Sequence, residues 1–331
     1  MLSNLAPSLK GVLALLLVIV STLFWFPVLL VVAIFKLAVP LTGSRRICTI
    51  ILMKIAEIWI GINNGILRNL LSIKWDIRGL EGLRKDEWYL VGCNHQSWSD
   101  IPVTQFALNG RIPLLKFFLK RELIWVPFLG IAWWALDFPF MKRHSQAKIA
   151  RNPALRGKDL ETTRRACEKF RYTPVSVFNF LEGTRFTRAK QQAQNSPYRH
   201  LLRPKAGGTA FVLGTMGEQL KTMLDITLVY PDGRDGLWDL LCGRIPRIIV
   251  DIRPLPIPAA FRNRDYQADP EFRAFYQQWV VDLWTAKDQL IESILSGQPQ
   301  PSAIAPPAPS EPLQVTERAG ADNSLSARTD A

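Results

Sequence analysis

A chain of 331 residues can build one substantial domain with appendages. Its hydrophobic content of 48% and mean hydropathy of +0.06 are high for a wholly soluble protein, and most of the excess sits in the first 72 residues. The formal charge of +13 calls for anionic partners, nucleic acid or an anionic membrane, and the apolar N-terminus favours the membrane. With three histidines (His95, His144, His200) and four cysteines (Cys48, Cys93, Cys167, Cys242) at no ligand spacing, a dedicated transition-metal site is not expected. The cysteines read as reduced thiols, which places the body of the chain in the cytoplasm.

Residues 11–35 hold no charge and read GVLALLLVIVSTLFWFPVLLVVAIF. As a helix they would be ~37 Å long, enough for a hydrocarbon core of about 30 Å. They exceed the apolar region of a signal peptide and no small-residue cleavage site follows, so the segment is expected to be retained. Pro27 is expected to kink it. Lys10 precedes it and Lys36, Arg45, Arg46 and Lys54 follow, which orients the body to the cytoplasm by the positive-inside rule. Pro40 and Gly43 mark a turn, so a hairpin dipping into one leaflet is also open. Residues 47–71 are apolar but contain Lys54, Glu57, Asn63, Asn64 and Arg68, and read as an interfacial or partly buried helix rather than a second span.

From residue 73 the pattern changes. Ile73, Trp75 and Ile77 alternate with Lys74, Asp76 and Arg78, the period of a half-buried strand. Residues 88–94 form a short apolar run suited to a buried strand, followed by NHQSWSD and a helix over 101–108. A polar-faced helix is predicted over 158–171, strands over 174–181, 224–230 and 247–258, and a small-residue helix within 205–216. Asp269-Pro270 is a helix start, with Asp as cap and Pro at the first position, and this helix runs to about 295. Strands alternating with helices predict an α/β domain with helices packed on its sheet. The division is an anchor and interfacial helix over 1–72, a body over 73–296, and a Pro/Ala-rich tail over 297–331 that is disordered by composition.

His95 and Asp100 are the best candidates for chemistry. His95 lies where an apolar strand empties into a loop, and a carboxylate holding one imidazole nitrogen leaves the other to face a substrate hydroxyl. Because i and i+5 do not share a helix face, the two meet only if His95 sits on the turn and Asp100 on the first turn of the helix. The alternative is a surface His beside a helix-capping Asp. The run FLEGTRFT puts Glu182, Gly183, Thr184 and Arg185 at a second strand end, where an Arg fork suits an anionic head group. The plain alternative is a polar turn with a surface ion pair. Arg143, in FPFMKR, and Lys205, before Gly207-Gly208, are further phosphate candidates, and Pro231 closes the strand that ends in VYPDG.

Together NHQSWSD, FPFMKR, FLEGTR and VYPDG, in this order, resemble the glycerophospholipid acyltransferase family, which includes the lysophosphatidic acid acyltransferases. The H-x-x-x-x-D block is matched by His95 and Asp100 and the E-G-T-R block by Glu182, Gly183, Thr184 and Arg185, roughly ninety residues further on. The resemblance covers roughly residues 74–258. It implies the family's mixed sheet flanked by helices, with an N-terminal membrane helix or helical hairpin. It implies further that His95 takes the proton of a lysophospholipid hydroxyl, that Asp100 orients it, and that the oxygen attacks an acyl-CoA or acyl-carrier-protein thioester with no cofactor or metal. Arg185, Thr184 and Arg143 would bind the acceptor phosphate, and the acceptor would be 1-acyl-glycerol-3-phosphate, giving phosphatidic acid. The second block departs from the family's Gly-x-x-Phe-Ile-Asp-Arg form and looks more like the branch acting on lysocardiolipin and related lipids. The implied location is a bacterial inner membrane. Two other classes compete: a non-catalytic, membrane-tethered nucleic-acid-binding or regulatory protein, suggested by charge alone, and a hydrolase using Ser97 or Cys93 with His95. No nucleic-acid recognition motif and no G-x-S-x-G elbow is present, so neither is preferred.

Overall fold

The computed structural model describes residues 6–39, 41–141, 164, 167–170 and 173–298. Two long helices open the chain, α1 (Pro7–Ala38) and α2 (Thr42–Leu70). They are followed by β1 (Lys74–Arg78), β2 (Trp88–Cys93), α3 (Asp100–Leu108), β3 (Leu115–Phe117), β4 (Leu119–Lys120), α4 (Leu129–Ala135) and β5 (Phe140–Met141). The chain continues through β6 (Ser176–Phe180), α5 (Arg188–Ala193), α6 (Gly207–Met216), β7 (Leu220–Val229), α7 (Leu237–Leu241), β8 (Arg247–Pro256) and α8 (Pro270–Ser296). Six strands form one sheet in the order β1-β8-β7-β2-β6-β3, and β4 pairs with β5. Within the six, only β7 and β8 are antiparallel neighbours. The sheet is therefore mixed, as the family resemblance implies, and flanked by helices, as the alternation of elements predicts.

Strand alternation divides the core between the two faces of the sheet. Val91, Leu224, Leu228 and Val250 join a cluster with α1, α2, α3 and α4, whereas Leu90, Met223 and Ile249 join a second cluster with α6 and α8. Both faces of the central strands are thus covered, which is why 88–94 and 224–230 are nearly continuous apolar runs. Gly92 lets Leu181 and Met223 close over β2, because a Cβ there would meet Leu181 Cδ1 and Met223 Cε and oblige both side chains to move.

The expected strands and helices of the body are present with ends moved by a few residues, the largest shift being the start of β7 at Leu220. The helix predicted over 158–171 lies mostly outside the described residues, as do Arg143 and all but the first two residues of the tail. Pro27 sits inside α1, which runs unbroken from Pro7 to Ala38. The expectation for 47–71 needs extending. α2 starts at Thr42 and, like α1, is long and apolar enough to cross a membrane by length and composition. Its charged residues are few enough, and spaced widely enough, that one face still presents Ile47, Ile50, Ile51, Ile58 and Ile62 outward. The opposite face buries Leu52, Ile55 and Ile60 in the same core as the sheet.

Both ends of α1 rest on the body. Arg244 donates to the Ser8 hydroxyl at 3.0 Å near one end, and Lys36 contacts Asp137 Oδ2 at 2.6 Å near the other. α2 is tied down as well, its Asn64 donating to Gln105 O and its Glu57 O accepting from Asn109.

Candidate active site

Three adjacent strands of one polarity end side by side. Cys93, the last residue of β2, is level with Phe180 of β6 and with Ile226 of β7. Beyond them lie the loops 94–99, 181–187 and 230–236, at the carboxyl ends of parallel strands where open α/β sheets receive ligands. The loops are stitched together by polar contacts. Asn94 bonds Leu228 twice, through Nδ2 to its carbonyl (2.9 Å) and Oδ1 from its N–H (2.8 Å). Phe186 N–H donates to His95 O at 2.7 Å, and the hydroxyls of Ser97 and Ser99 both donate to Asp235 O.

His95 and Asp100 meet because His95 sits in the loop and Asp100 opens α3. Asp100 Oδ2 accepts the Nδ1–H of His95 at 2.8 Å and the backbone N–H groups of Gln96 (2.6 Å) and Ser97 (2.9 Å). Its other oxygen accepts the Tyr230 hydroxyl at 2.8 Å. A carboxylate with 0% side-chain exposure thus has four donors, and its acceptor-only chemistry requires the imidazole proton on Nδ1. Nε2 then offers a lone pair, and among the described residues nothing hydrogen-bonds to it. The ring, 16% exposed, stacks on Phe180 with centroids 3.8 Å apart and planes 11° apart. Burial, reinforced by Asp100, pushes the Tyr230 phenol well above its ordinary range, so it remains a donor.

Glu182 has a different surrounding from the one its neighbour Arg185 suggests. It is fully buried, and its two oxygens accept from the backbone N–H of His95 (2.8 Å) and of Leu202 (3.0 Å). It clasps the His95 loop to the 200–205 segment. Burial raises its carboxyl to about 7, against the lowering effect of those two N–H groups. A folded pKa above the unfolded value means that stability is complete below the unfolded value and is lost as pH rises through the folded one. The wild-type chain should therefore lose roughly 3 kcal/mol relative to Glu182→Gln between pH 4.5 and about 7. Denaturant midpoints of both proteins across that range measure the difference, and parallel pH curves would refute the assignment.

Cations gather at the end of β6. Gly183 takes φ +68°, a left-handed turn that glycine adopts freely, and the Lys205 side chain lies against it. Thr184 Oγ1 and Arg185 O both accept from Lys190 Nζ at 2.9 Å. The Arg185 guanidinium lies over the Trp98 ring, 4.3 Å from its centroid, so the first and second loops meet through a cation–π contact. Pro231 begins the turn closed by Gly233 N–H to Tyr230 O at 3.0 Å, which positions Tyr230 under Asp100. The sequence-predicted residues His95, Asp100, Glu182, Gly183, Thr184, Arg185, Lys205 and Pro231 thus all fall on or beside these three loops, with Arg143 outside the described residues. Tyr230, Asn94, Phe180, Trp98 and Lys190 were not singled out from sequence. For Tyr230 a signal existed, an aromatic with a polar tip at a strand end before Pro-Asp-Gly.

The candidate hydrolytic nucleophiles are otherwise engaged. The Cys93 thiol is fully buried and pushed well above its ordinary range by that burial, and the Ser97 hydroxyl is directed to Asp235 O.

Residues 74–229, which contain the first two loops and end at the foot of the Tyr230 turn, match the family profile described as Acyltransferase. They form an acyltransferase-family domain. The match bears out the resemblance carried by the H-x-x-x-x-D and E-G-T-R blocks. Among curated relatives, the domain and its flanks are 23% identical over 276 residues to lysophosphatidylinositol acyltransferase 10 of Caenorhabditis elegans, covering 78% of this chain and 66% of that one. They are 21% identical to 1-acyl-sn-glycerol-3-phosphate acyltransferase epsilon of Mus musculus, covering 60% and 56%. A 98-residue stretch is 30% identical to the 1-acyl-sn-glycerol-3-phosphate acyltransferase of Pseudomonas aeruginosa, covering 29% of this chain and 35% of that enzyme. The chain therefore spans at most about two thirds of the length of these relatives. Among solved structures, the crystal structure of the 1-acyl-sn-glycerophosphate acyltransferase from Thermotoga maritima aligns with TM-score 0.45 and 18% identity, covering 83% of this chain and 98% of that one.

Proposed function

We propose that this chain transfers a fatty-acyl group from a thioester, acyl-CoA or acyl-carrier protein, to the free hydroxyl of a lysophospholipid, most favourably 1-acyl-glycerol-3-phosphate to give phosphatidic acid. The observation that carries the reading is the His95–Asp100 pair, its Nε2 lone pair directed away from the carboxylate that fixes the ring. In the reaction Nε2 takes the hydroxyl proton as the oxygen attacks the thioester carbonyl. The C–S bond breaks, and the departing thiolate recovers the proton from the imidazolium. A thioester is already activated, so the residues present suffice without an acyl-enzyme. Arg185, with Thr184, Lys190 and Lys205 beside it, supplies the cationic surface for the acceptor phosphate.

The anchor of this reading is the helix pair. Contacts at both ends of α1 with the body support a hairpin laid along the protein and sunk in one leaflet, in preference to two full crossings. The positive residues after residue 35 favour the cytoplasmic face, here of a bacterial inner membrane.

The test is transfer of labelled oleoyl from its CoA or acyl-carrier-protein thioester to a panel of lysophospholipids. Arg185→Ala should raise KM for lysophosphatidic acid at least tenfold while leaving KM for the acyl donor near wild type. No transfer to any acceptor would favour a non-catalytic role, and an acceptor other than lysophosphatidic acid preferred by wild type would reassign the substrate.

A further inference from the structure

A second cationic place in the molecule is not used by this chemistry. At the turn between α1 and α2 a cavity of about 690 Å³ opens against α4 and the strand β5. Lys36, Arg45, Arg46 and Lys169 line it, with Asp137 as the one acidic residue among its described lining. Asp137 already holds Lys36 at 2.6 Å and Lys169 at 3.0 Å, and these two cations keep its carboxyl below the ordinary range against the opposing effect of burial. Arg45 and Arg46 are exposed and, among the described residues, form no ion pair. The site therefore has a surplus of positive charge and two planar forks unspent on protein carboxylates.

Most of the rest of the wall is apolar, with Leu37, Trp134 and Phe138 contributing beside three threonines. Leu37 and Trp134 are themselves exposed large apolar side chains, so the mouth of the cavity opens beside apolar surface of α1 and α4. None of His95, Glu182, Arg185 or Lys205 lines it. Three successive ring contacts separate it from the dyad: His95 on Phe180 at 3.8 Å, Phe180 with Phe117 at 6.5 Å, and Phe117 with Phe138 at 6.5 Å.

We infer that this cavity binds the headgroup of an anionic phospholipid of the surrounding membrane, its phosphate between Arg45 and Arg46 and its chains along Leu37, Trp134 and Phe138. Anionic leaflets concentrate such ligands at basic sites flanking membrane helices. A bilayer lipid is preferred over a soluble phosphate because half the wall is apolar and the mouth opens beside apolar surface of α1 and α4. The lipid would fix the angle of the helix pair against the body without entering the reaction.

The test is binding of dioctanoyl phosphatidylglycerol, an anionic lipid that the proposed reaction neither consumes nor produces, to the full chain purified in neutral detergent, followed by titration calorimetry. Arg45→Gln with Arg46→Gln should weaken binding at least tenfold with an unchanged thermal midpoint, and the paired Arg→Lys variant should retain most of it. His95→Ala should bind as wild type does, and wild-type affinity should fall with added salt. Equal binding by wild type and the double Gln variant, or affinity for dioctanoyl phosphatidylcholine matching that for the anionic lipid, would overturn the site. Displacement of the lipid by coenzyme A would overturn it differently, giving the cavity to the acyl donor. These binding arms do not depend on acyl transfer, so failure of the proposed reaction would be seen separately.

Discussion

Replacing His95 with alanine is expected to lower kcat for acyl transfer by roughly 10²–10⁴-fold, the range a positioned general base contributes, with KM for both substrates little changed. The reason is geometric. Nδ1 is bound to Asp100 at 2.8 Å and the ring is held flat on Phe180, so alanine removes the one lone pair pointed away from the carboxylate. The fold should survive, because the contacts that hold the loop belong to backbone and to Asp100: Gln96 and Ser97 N–H to its carboxylate, and Phe186 N–H to the carbonyl of residue 95. Initial rates with labelled oleoyl-CoA, beside a thermal melt of the same preparation, decide the matter. An alanine variant with undiminished kcat would remove the dyad from the mechanism.

The second large effect concerns stability. Lys287 of α8 is fully buried, with Nζ 2.7 Å from Asp225 Oδ1, and it donates to Ile226 O at 2.6 Å and to the Thr227 hydroxyl at 3.0 Å. Arg253, paired with Asp225 across β7 and β8, contacts the other carboxylate oxygen at 2.5 Å. Lys287→Ala leaves a carboxylate in the core with one cation in place of two, and breaking a buried pair in this way costs about 3–5 kcal/mol. Replacing both partners, Lys287→Met with Asp225→Asn, should recover only part of that loss, since the buried carboxylate is gone but Arg253 then lacks its counter-ion. Urea midpoints in detergent measure both variants. A Lys287→Ala protein within about 1 kcal/mol of wild type would show that Arg253 alone suffices for Asp225.

The parts of this molecule legible in its sequence were those written locally. Alternation from Ile73 to Arg78 and the apolar runs of β2 and β7 are read within a few residues, and Asp269-Pro270 caps its helix as expected, Asp269 accepting from Phe272 N–H at 2.9 Å. His95 and Asp100 could be paired because only five positions separate them. What escaped was non-local or short. β3 has three residues, too few to establish a period, and it contains the fully buried Lys116, a residue type that argues against a core strand. Burial lowers that lysine to about 7. Tyr230 reads as one more aromatic of a buried strand until the sheet places it under Asp100. Glu182 reads from sequence as orienting Arg185 or the acceptor, or as part of a polar turn, yet its ligands are the N–H groups of His95 and Leu202, 87 and 20 residues away. The two apolar helices illustrate a different limit. Composition says how long a segment could be in lipid, whereas Ser8 and Lys36 touching the body at opposite ends of α1 is a property of the folded whole.

The meeting of β6, β2 and β7 at one level also sets when this protein can begin to act. Asp100 is oriented in part by a hydroxyl 130 residues downstream, and Asn94 is fastened to Leu228 across 134. A chain emerging from the ribosome makes α1, α2 and the His95 loop early, and β6 brings that loop Glu182 and Phe186, but Tyr230 and Leu228 reach it only when β7 has joined the sheet beside β2. Contacts of such sequence separation form slowly, since loop closure comes before the reward. The nascent protein would thus present its two apolar helices first and acquire a finished dyad only after β7 has been made.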